Sequence, residues 1–529
     1  MKKTLFILFI LACISLFFNL YKMGSSPPSF NTDEAADGYN AYSILKTGKD
    51  EYGNLLPLRL KSFGDYKMPL YSYLSIPFIA IGGLNETSTR ALNSLISFLF
   101  PFVIFAFTFE LFGKKIYGYL AAFLFSLSPG IQLIGRQAHE AYLTTFLIIL
   151  SLWLFLKIIH KSQNFYKLLF SVSLILLSFG YHFSRLWLGV ILLLVIYFTI
   201  KRKLTVKFFV FFLLFFVILN LPDLMIKPER VKNLLFFNNQ GLGLQTAELR
   251  SEGGSRFFYN KLTVGLKNFL FNHFTYYSPQ FLVINGDDNR RFSYQGISPI
   301  TLVEYIFIFV GIYYLFKDKQ KYRGLLTVFL ILAPLPGSLS WAGLSITRIL
   351  PLIVFINIVV GYGLINFIEK IPKKIFLLIG FICLATYLIF AYYSWDFYFN
   401  HYSKRAFVIR AWQSGNREMA QYVKNNYENF DRFYISRKNG QPYIFILFYL
   451  QYPPEKYQKQ AALSSPDEFG FGQVEQFDKF DFRFQLDPKK QRTAFIGYPE
   501  DFNQAKNLTD SRLKKIKVGT EEIFWVYEQ

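Results

Sequence analysis

Charged side chains stand at a few places between long apolar runs, and their types suit group transfer on an anionic substrate. Asp33 and Glu34 are adjacent in Asn31-Thr32-Asp33-Glu34-Ala35-Ala36-Asp37-Gly38-Tyr39. A carboxylate beside apolar walls, within hydrogen-bond reach of a hydroxyl, can act as a general base. The same two acids also suit the start of a helix. Ala35, Ala36, Tyr39, Ala41, Tyr42, Ile44 and Leu45 recur at helical spacing, with Asp33 or Thr32 as N-cap and the acids favoured by the helix dipole. A second group, Arg136-Gln137-Ala138-His139-Glu140, lies where one apolar run gives way to the next. His182 and Arg185 flank another such junction, and Arg348 follows Thr347 at a third. Arg136 alone reads equally as a side chain reaching for the bilayer surface. Several such mouths together read as a site for an anionic lipid head group plus a catalytic carboxylate, because the arginine fork pairs with phosphate oxygens. His273 and Asp287-Asp288 lie in a long polar stretch and either gate substrate or fold that loop. His139 and Glu140 are neighbours on a helix and point apart, so no shared metal site is expected. No strand-turn-helix carries a Gly-rich phosphate loop, so ATP or dinucleotide binding has no support.

These residues must be held by membrane-spanning elements. Of 529 residues, 53% are hydrophobic, 20% aromatic and only 17% charged, against about 25% charged in soluble domains. Sixty-three phenylalanines exceed what one water-soluble core can hide. The net charge of +22 belongs to basic clusters in short links between apolar runs, which point to a bilayer and not to nucleic acid. Cys13 and Cys383 both fall inside apolar runs and give neither a disulfide framework nor a metal cluster.

Runs long enough to cross about 30 Å of hydrocarbon occur near 4–22, 90–112, 116–134, 141–159, 165–181, 185–200, 206–222, 299–316, 323–340, 346–367 and 374–394. With about eleven spans, the clusters at Lys2/Lys3, Lys114/Lys115, Lys157/Lys161/Lys167, Lys201–Lys207, Lys317–Arg323 and Lys370–Lys374 share one side, the cytoplasm by the positive-inside rule. Residues 68–83 would break that agreement as a span and are expected to lie along the outer surface. The expected architecture is an all-α polytopic membrane domain over 1–394, with outer loops at 23–89 and 223–298, and a small α/β extracytoplasmic domain over 395–529. In that tail a helix is expected at Asn416–Asn426, and strands at Tyr443–Tyr449, Thr493–Gly497 and Glu522–Tyr527. Asn85-Glu86-Thr87 and Asn507-Leu508-Thr509 match the N-glycosylation tripeptide, a frequent chance match.

The outer-loop residues resemble a known family. Asp33-Glu34, the stretch Asn40 to Gly48, Gly64-Asp65-Tyr66-Lys67-Met68-Pro69-Leu70 and Thr89-Arg90 are similar to the first outer loop of GT-C glycosyltransferases. The similarity is to the dolichyl-phosphate-mannose protein mannosyltransferase branch, which includes the bacterial aminoarabinose transferase for lipid A. Arg136 and Glu140 match its second outer-loop motif, where many relatives carry Asp in place of Glu140. His273 to Asn289 and Trp412-Gln413-Ser414-Gly415 resemble bacterial members.

The resemblance implies a GT-C fold and inverting transfer of a sugar from a polyprenyl-phosphate donor to an acceptor on the outer membrane face. It implies Asp33 as general base with Glu34 beside it, Glu140 as a second catalytic acid, and Lys67 with Arg348 on the donor phosphate. No cofactor or metal is expected. The implied location is the plasma (inner) membrane, N-terminus cytoplasmic and tail outside. The partners would be the lipid-linked sugar, membrane lipids and a protein, glycolipid or polysaccharide acceptor. A transporter or flippase is the competing reading, but no inverted repeat is present. An O-antigen ligase or polymerase is kept weakly by residues 223–298.

Overall fold

The computed structural model describes residues 2–63, 65–225, 240–340, 343–465, 472, 474–486, 492–503 and 512–529. Gly64, part of the loop 223–298, and the tripeptide at Asn507 lie outside the described residues. A helix occupies every apolar run expected to span: α1 (Lys2–Leu20), α4 (Glu86–Phe112), α5 (Lys115–Leu127) with α6 (Pro129–Gly135), and α7 (Glu140–Lys161). There follow α8 (Asn164–Ser178), α9 (Ser184–Ile200) and α10 (Val206–Met225). Two further helices, α11 (Gln240–Ser251) and α12 (Lys261–Thr275), lie in the long loop. Next come α13 (Leu302–Lys317), α14 (Arg323–Leu332), α15 (Leu335–Ser338), α16 (Ile346–Lys370) and α17 (Lys373–Asn400).

Among the described residues, five stretches are long and apolar enough to cross a bilayer: α1, α4, α7, α16 and Ile375–Lys404. The α5–α6 pair makes six if its 64° bend is one broken span. Ser128 is the cause of that break. It caps α6 through Ile131 N–H, and Pro129 follows at a position where its missing N–H costs nothing. The remaining apolar helices, with α10 taken over Val206–Ile218, are shorter, so the count of about eleven crossings is not reproduced by helix length.

The chain divides into two units, one of Met1–Tyr21 with Asn93–Phe397, the other of Lys22–Leu92 with Tyr398–Gln529. This differs from the expected split at 394/395. The first outer loop groups with the tail and not with the spanning helices. In the first unit α16 is buried at nearly every position from Ile346 to Gly363, whereas α17 exposes Leu377, Leu378, Phe381 and Ile389. A helix apolar all round and unburied has hydrocarbon as its solvent. Helices α13 and α16 approach at Gly311 and Gly363, where a Cβ on Gly363 would stand 2.5 Å from the Gly311 nitrogen. Small residues permit such contact in membranes.

The second unit holds α2 (Thr32–Thr47), the hairpin β1 (Leu60–Ser62) and β2 (Asp65–Lys67), and α3 (Leu70–Gly82). At thirteen residues α3 is about 20 Å long, too short to span. Beyond 398 come α18 (Ala406–Ala411), α19 (Asn416–Asn425), α20 (Pro442–Tyr449) and α21 (Pro454–Gln460). The strands are β3 (Arg432–Ile435), β4 (Ala462–Leu463), β5 (Val474–Phe477), β6 (Phe480–Asp481), β7 (Thr493–Gly497), β8 (Leu513–Val518) and β9 (Glu521–Glu528). They form one sheet in the order β4-β5-β6-β3-β7-β9-β8, with β3 parallel to β6 and β7 and all other pairs antiparallel.

The stretch Tyr443–Tyr449, expected as a strand, is the helix α20. Pro442 starts it, and a wholly buried apolar run has no polar face to betray its period. Phe30, Ala35, Ala36 and Tyr39 of the first loop share one core with Tyr443–Phe448 and with Phe477 and Phe480 of the sheet. Gly38 is required there: a Cβ would meet Phe448 and Thr89 at 2.7 Å each.

Candidate active site

The N-terminus of α2 is capped completely, and not by the residues expected. Asn31 is the N-cap, its Oδ1 accepting from Asp33 N–H at 2.9 Å and Glu34 N–H at 3.1 Å. Glu34 closes the capping box back onto Asn31. The remaining donor, Thr32 N–H, goes to Gln413 Oε1 at 3.0 Å. Every first-turn donor is therefore satisfied without the Asp33 carboxylate, which is half exposed. Its Oδ1 accepts from Lys67 Nζ at 2.8 Å. Lys67 arrives on β2, is itself nearly buried, and lies 4.9 Å over the Phe63 ring. The expected base and the expected phosphate ligand thus face one another, 34 residues apart in sequence.

Glu34 does not stand open to a substrate as a second catalytic acid would. It is 1% exposed, and Arg90 grips both its oxygens at 2.7 Å through Nε and Nη2. Arg90 also donates to Ser29 O at 2.9 Å and lies under the rings of Phe30 and Trp412. Glu86, one turn before Arg90, accepts two bonds from Arg417 and one from Tyr449. Glu34 and Arg90 together are the internal support for the helix start that presents Asp33. The Trp412–Gly415 stretch is explained too. Trp412 packs on Arg90, Gln413 caps Thr32, and Gly415 takes a left-handed φ of 97° where a Cβ would strike Ile523.

In the other unit, Arg136 is fully buried and donates to the carbonyls of Phe18, Asn19 and Tyr21. It caps the C-terminus of α1 and does not reach for the surface. This is the favourable end of a helix dipole for a cation. His139 is the N-cap of α7, its Nδ1 accepting from Ala141 N–H at 3.1 Å. Glu140 opens that helix with Oε2 3.7 Å from the same nitrogen. A nitrogen that accepts an N–H carries no proton, so the approach is not an ion pair through that atom.

The His139 ring packs on Tyr181 and Phe292 with centroids 5.4 Å apart in each case, and Tyr181 adjoins His182. Arg185 sits in the first turn of α9, half-buried, where the dipole opposes a cation. Arg291, which the sequence did not single out, lies 5.2 Å over the Phe292 ring and so joins the set around His139.

His273 is buried, stacks on Phe269 and hydrogen-bonds Ser338 at 3.1 Å, with burial lowering its proton affinity. It holds α12 to α15 and is not presented to a ligand. Asp287 and Asp288 fold the loop: Asp287 accepts from Ile346 N–H at 2.6 Å and Asp288 from Leu344 N–H at 3.2 Å, capping α16. Burial pushes the Asp287 carboxyl up to about 6, against the pull of Arg348. Arg348 lies half-buried in the first turn of α16 and reaches Gly343 O at 3.4 Å. Among the described residues, no three His, Cys, Asp or Glu side chains gather as metal ligands would.

These elements define an integral membrane protein of many helices with a small mixed sheet toward its C-terminus. The fold is shared with ArnT from Cupriavidus metallidurans. In the apo state that structure has a TM-score of 0.56 at 11% identity, covering 99% of this chain and 98% of that one. ArnT bound to undecaprenyl phosphate gives 0.54 at 11% identity, covering 99% and 97%. The likeness is one of fold, and it agrees with the architecture that the outer-loop resemblance implies. The archaeal oligosaccharyltransferase AglB from Archaeoglobus fulgidus, solved with an inhibitory peptide and a dolichol-phosphate, has a TM-score of 0.47 at 14% identity. There 80% of this chain spans 58% of that one, less than two thirds of its length. No protein-family model and none of the curated proteins matches the sequence.

Proposed function

We propose that the chain is a membrane glycosyltransferase that takes a sugar from a polyprenyl-phosphate donor and passes it to an acceptor on the outer face. The observation that carries this is the Asp33–Lys67 pair on a helix start already capped by other groups. The nearly buried Lys67 gains a counter-ion from the pair, but stability gives no reason to leave the Asp33 carboxylate half exposed. Chemistry gives one. The acceptor oxygen attacks the anomeric carbon, the carbon–oxygen bond to phosphate breaks, and the acceptor proton passes to Asp33. With the donor bound, Lys67 exchanges its contact with Asp33 for the departing phosphate and balances its charge, as cations do for developing anions. Attack opposite the leaving group inverts the anomeric centre.

The shared fold with a protein solved with undecaprenyl phosphate supports a donor of that class. On the outer-loop resemblance alone, Glu140 is read as a second catalytic acid and Arg348 as a ligand of the donor phosphate. This reading assigns no metal, and charge on the leaving group falls to Lys67.

Asp33→Asn in the purified chain, reconstituted with an undecaprenyl-phosphate-linked sugar, is expected to lower transfer by at least about 10²-fold. Its melting temperature is expected to change little. Undiminished transfer by this variant would refute the base assignment. The distribution of Lys and Arg supports an N-terminus in the cytoplasm and a sheet outside. An impermeant thiol reagent should label a cysteine introduced at Lys517 in intact cells, and protection of that site would reverse the topology.

A further inference from the structure

The second unit contains another carboxyl close to the proposed site, buried and unused by the mechanism. Glu51 lies between α2 and β1 and is 1% exposed. Its Oε1 accepts from Ser62 Oγ at 3.1 Å, and its own N–H donates to Asn40 Oδ1 at 3.0 Å. Asn40 Nδ2 in turn reaches Ser62 Oγ at 3.4 Å. Glu51 Oε2 is buried with no hydrogen-bond partner among the described residues. The charged and titratable groups facing this carboxyl come from every element around it. They are Tyr39 of α2, Asp50 of its own loop, Lys67 of β2, Tyr443 of α20 and Tyr457 of α21. Lys67 is the one cation in that set.

The backbone register connects this network to the site. Ser62 ends β1 and pairs with Asp65, while Leu60 pairs with Lys67, so holding Ser62 holds the strand opposite Lys67. We propose that Glu51 is a positioning residue for Lys67, tying the β1–β2 hairpin to α2 through Ser62 and Asn40 so that the Lys67 ammonium stays directed at Asp33 and the donor phosphate. The inference rests on the reading of Lys67 as a phosphate ligand.

Burial pushes Glu51 up to about 8, with Asp50 adding to it, against the pull of Ser62, Lys67 and Asn40. At neutral pH the acid is uncharged and makes no electrostatic claim on Lys67. Ionised, it competes for the same ammonium with Asp33 and with any phosphate bound there.

The test uses the purified full-length chain in nanodiscs, with undecaprenyl phosphate as probe. Wild-type affinity is expected to fall about tenfold between pH 7 and 9.5, a modest charge–charge effect at partly screened distance. The midpoint should lie near pH 8, where Glu51 loses its proton. Glu51→Gln keeps the shape without the charge. It should weaken binding at pH 7 by no more than about threefold and remove the alkaline fall, an electrostatic effect and not a folding one. Ser62→Ala deletes the hydrogen bond that favours the charged form and should move the wild-type midpoint upward. That shift keeps the proposal testable if Glu51→Gln does not fold. An alkaline fall that persists in Glu51→Gln, an unmoved midpoint in Ser62→Ala, or a flat wild-type profile overturns the role of Glu51. Absence of wild-type binding at every pH instead overturns the reading of Lys67 as a phosphate ligand.

Discussion

Removing the Arg90 guanidinium would leave Glu34 as an uncompensated charge inside the second unit. Both side chains are essentially inaccessible to water, and two bonds of 2.7 Å join them. Deleting one member of such a pair costs about 3–5 kcal/mol, because the survivor keeps its desolvation penalty and loses its partner. For a unit of about 200 residues, each kcal/mol moves the melting temperature by about 2–4 °C. Arg90→Met is therefore expected to melt some 6–20 °C below wild type, with Glu34→Leu falling by a comparable amount. The double variant Arg90→Met/Glu34→Leu removes both charges together. It should recover most of the loss, short of about 1 kcal/mol for the broken capping box. The coupling read from this cycle should exceed about 2 kcal/mol. Arg90→Lys should recover little, since an ammonium cannot make the forked contact or lie flat under Phe30 and Trp412. The assay is thermal unfolding of the purified chain in detergent. A single Arg90→Met variant that melts within about 2 °C of wild type would refute the reasoning, because the pair would then not be the buried support described.

Two other outcomes follow from the same geometry. Arg136→Leu leaves the last carbonyls of α1 without their donor and should cost about 1–3 kcal/mol per buried group left bare, measured as loss of thermal stability. Glu51 retains a proton in the folded chain between its ordinary value of 4.5 and about 8, a range over which the unfolded chain has lost it. Stability must then decline as pH rises through that window, by at most about 5 kcal/mol. Melting curves at pH 6 and pH 9 should show Glu51→Gln gaining on wild type at the higher pH, and a constant gap would contradict the buried neutral acid.

Much of the scaffold was legible because length and hydropathy alone decide it. Each apolar run long enough to span became a helix, since in hydrocarbon the backbone must bond to itself. The position of Asp33 at a helix start was legible from Asn31 to Glu34, but its cap was not. Asn31, Thr32 and Asp33 are all capping types, and which one takes that place is set where the chain enters the helix. Tyr443–Tyr449 was misread as a strand for a related reason: burial on all sides erases the periodicity that tells helix from strand.

The chemistry-bearing residues sorted themselves only in three dimensions. Side-chain type marked Asp33, Glu34 and Arg136 as candidates beside apolar runs, and the outer-loop resemblance added Lys67. What each one does was decided by a partner distant in sequence. Glu34 is claimed by Arg90 56 positions away, Arg136 by carbonyls about 115 positions back, and Asp33 by Lys67 across a hairpin. Glu51, in a polar stretch that reads as a solvated turn, is buried because helices from the far end of the chain close over it. Hydropathy is a property of each residue and its near neighbours, so composition and order suffice to specify a membrane scaffold. Whether a charge is spent inside the protein or presented to a substrate depends on which opposite charge folding brings within a few ångströms, and that only the tertiary structure decides.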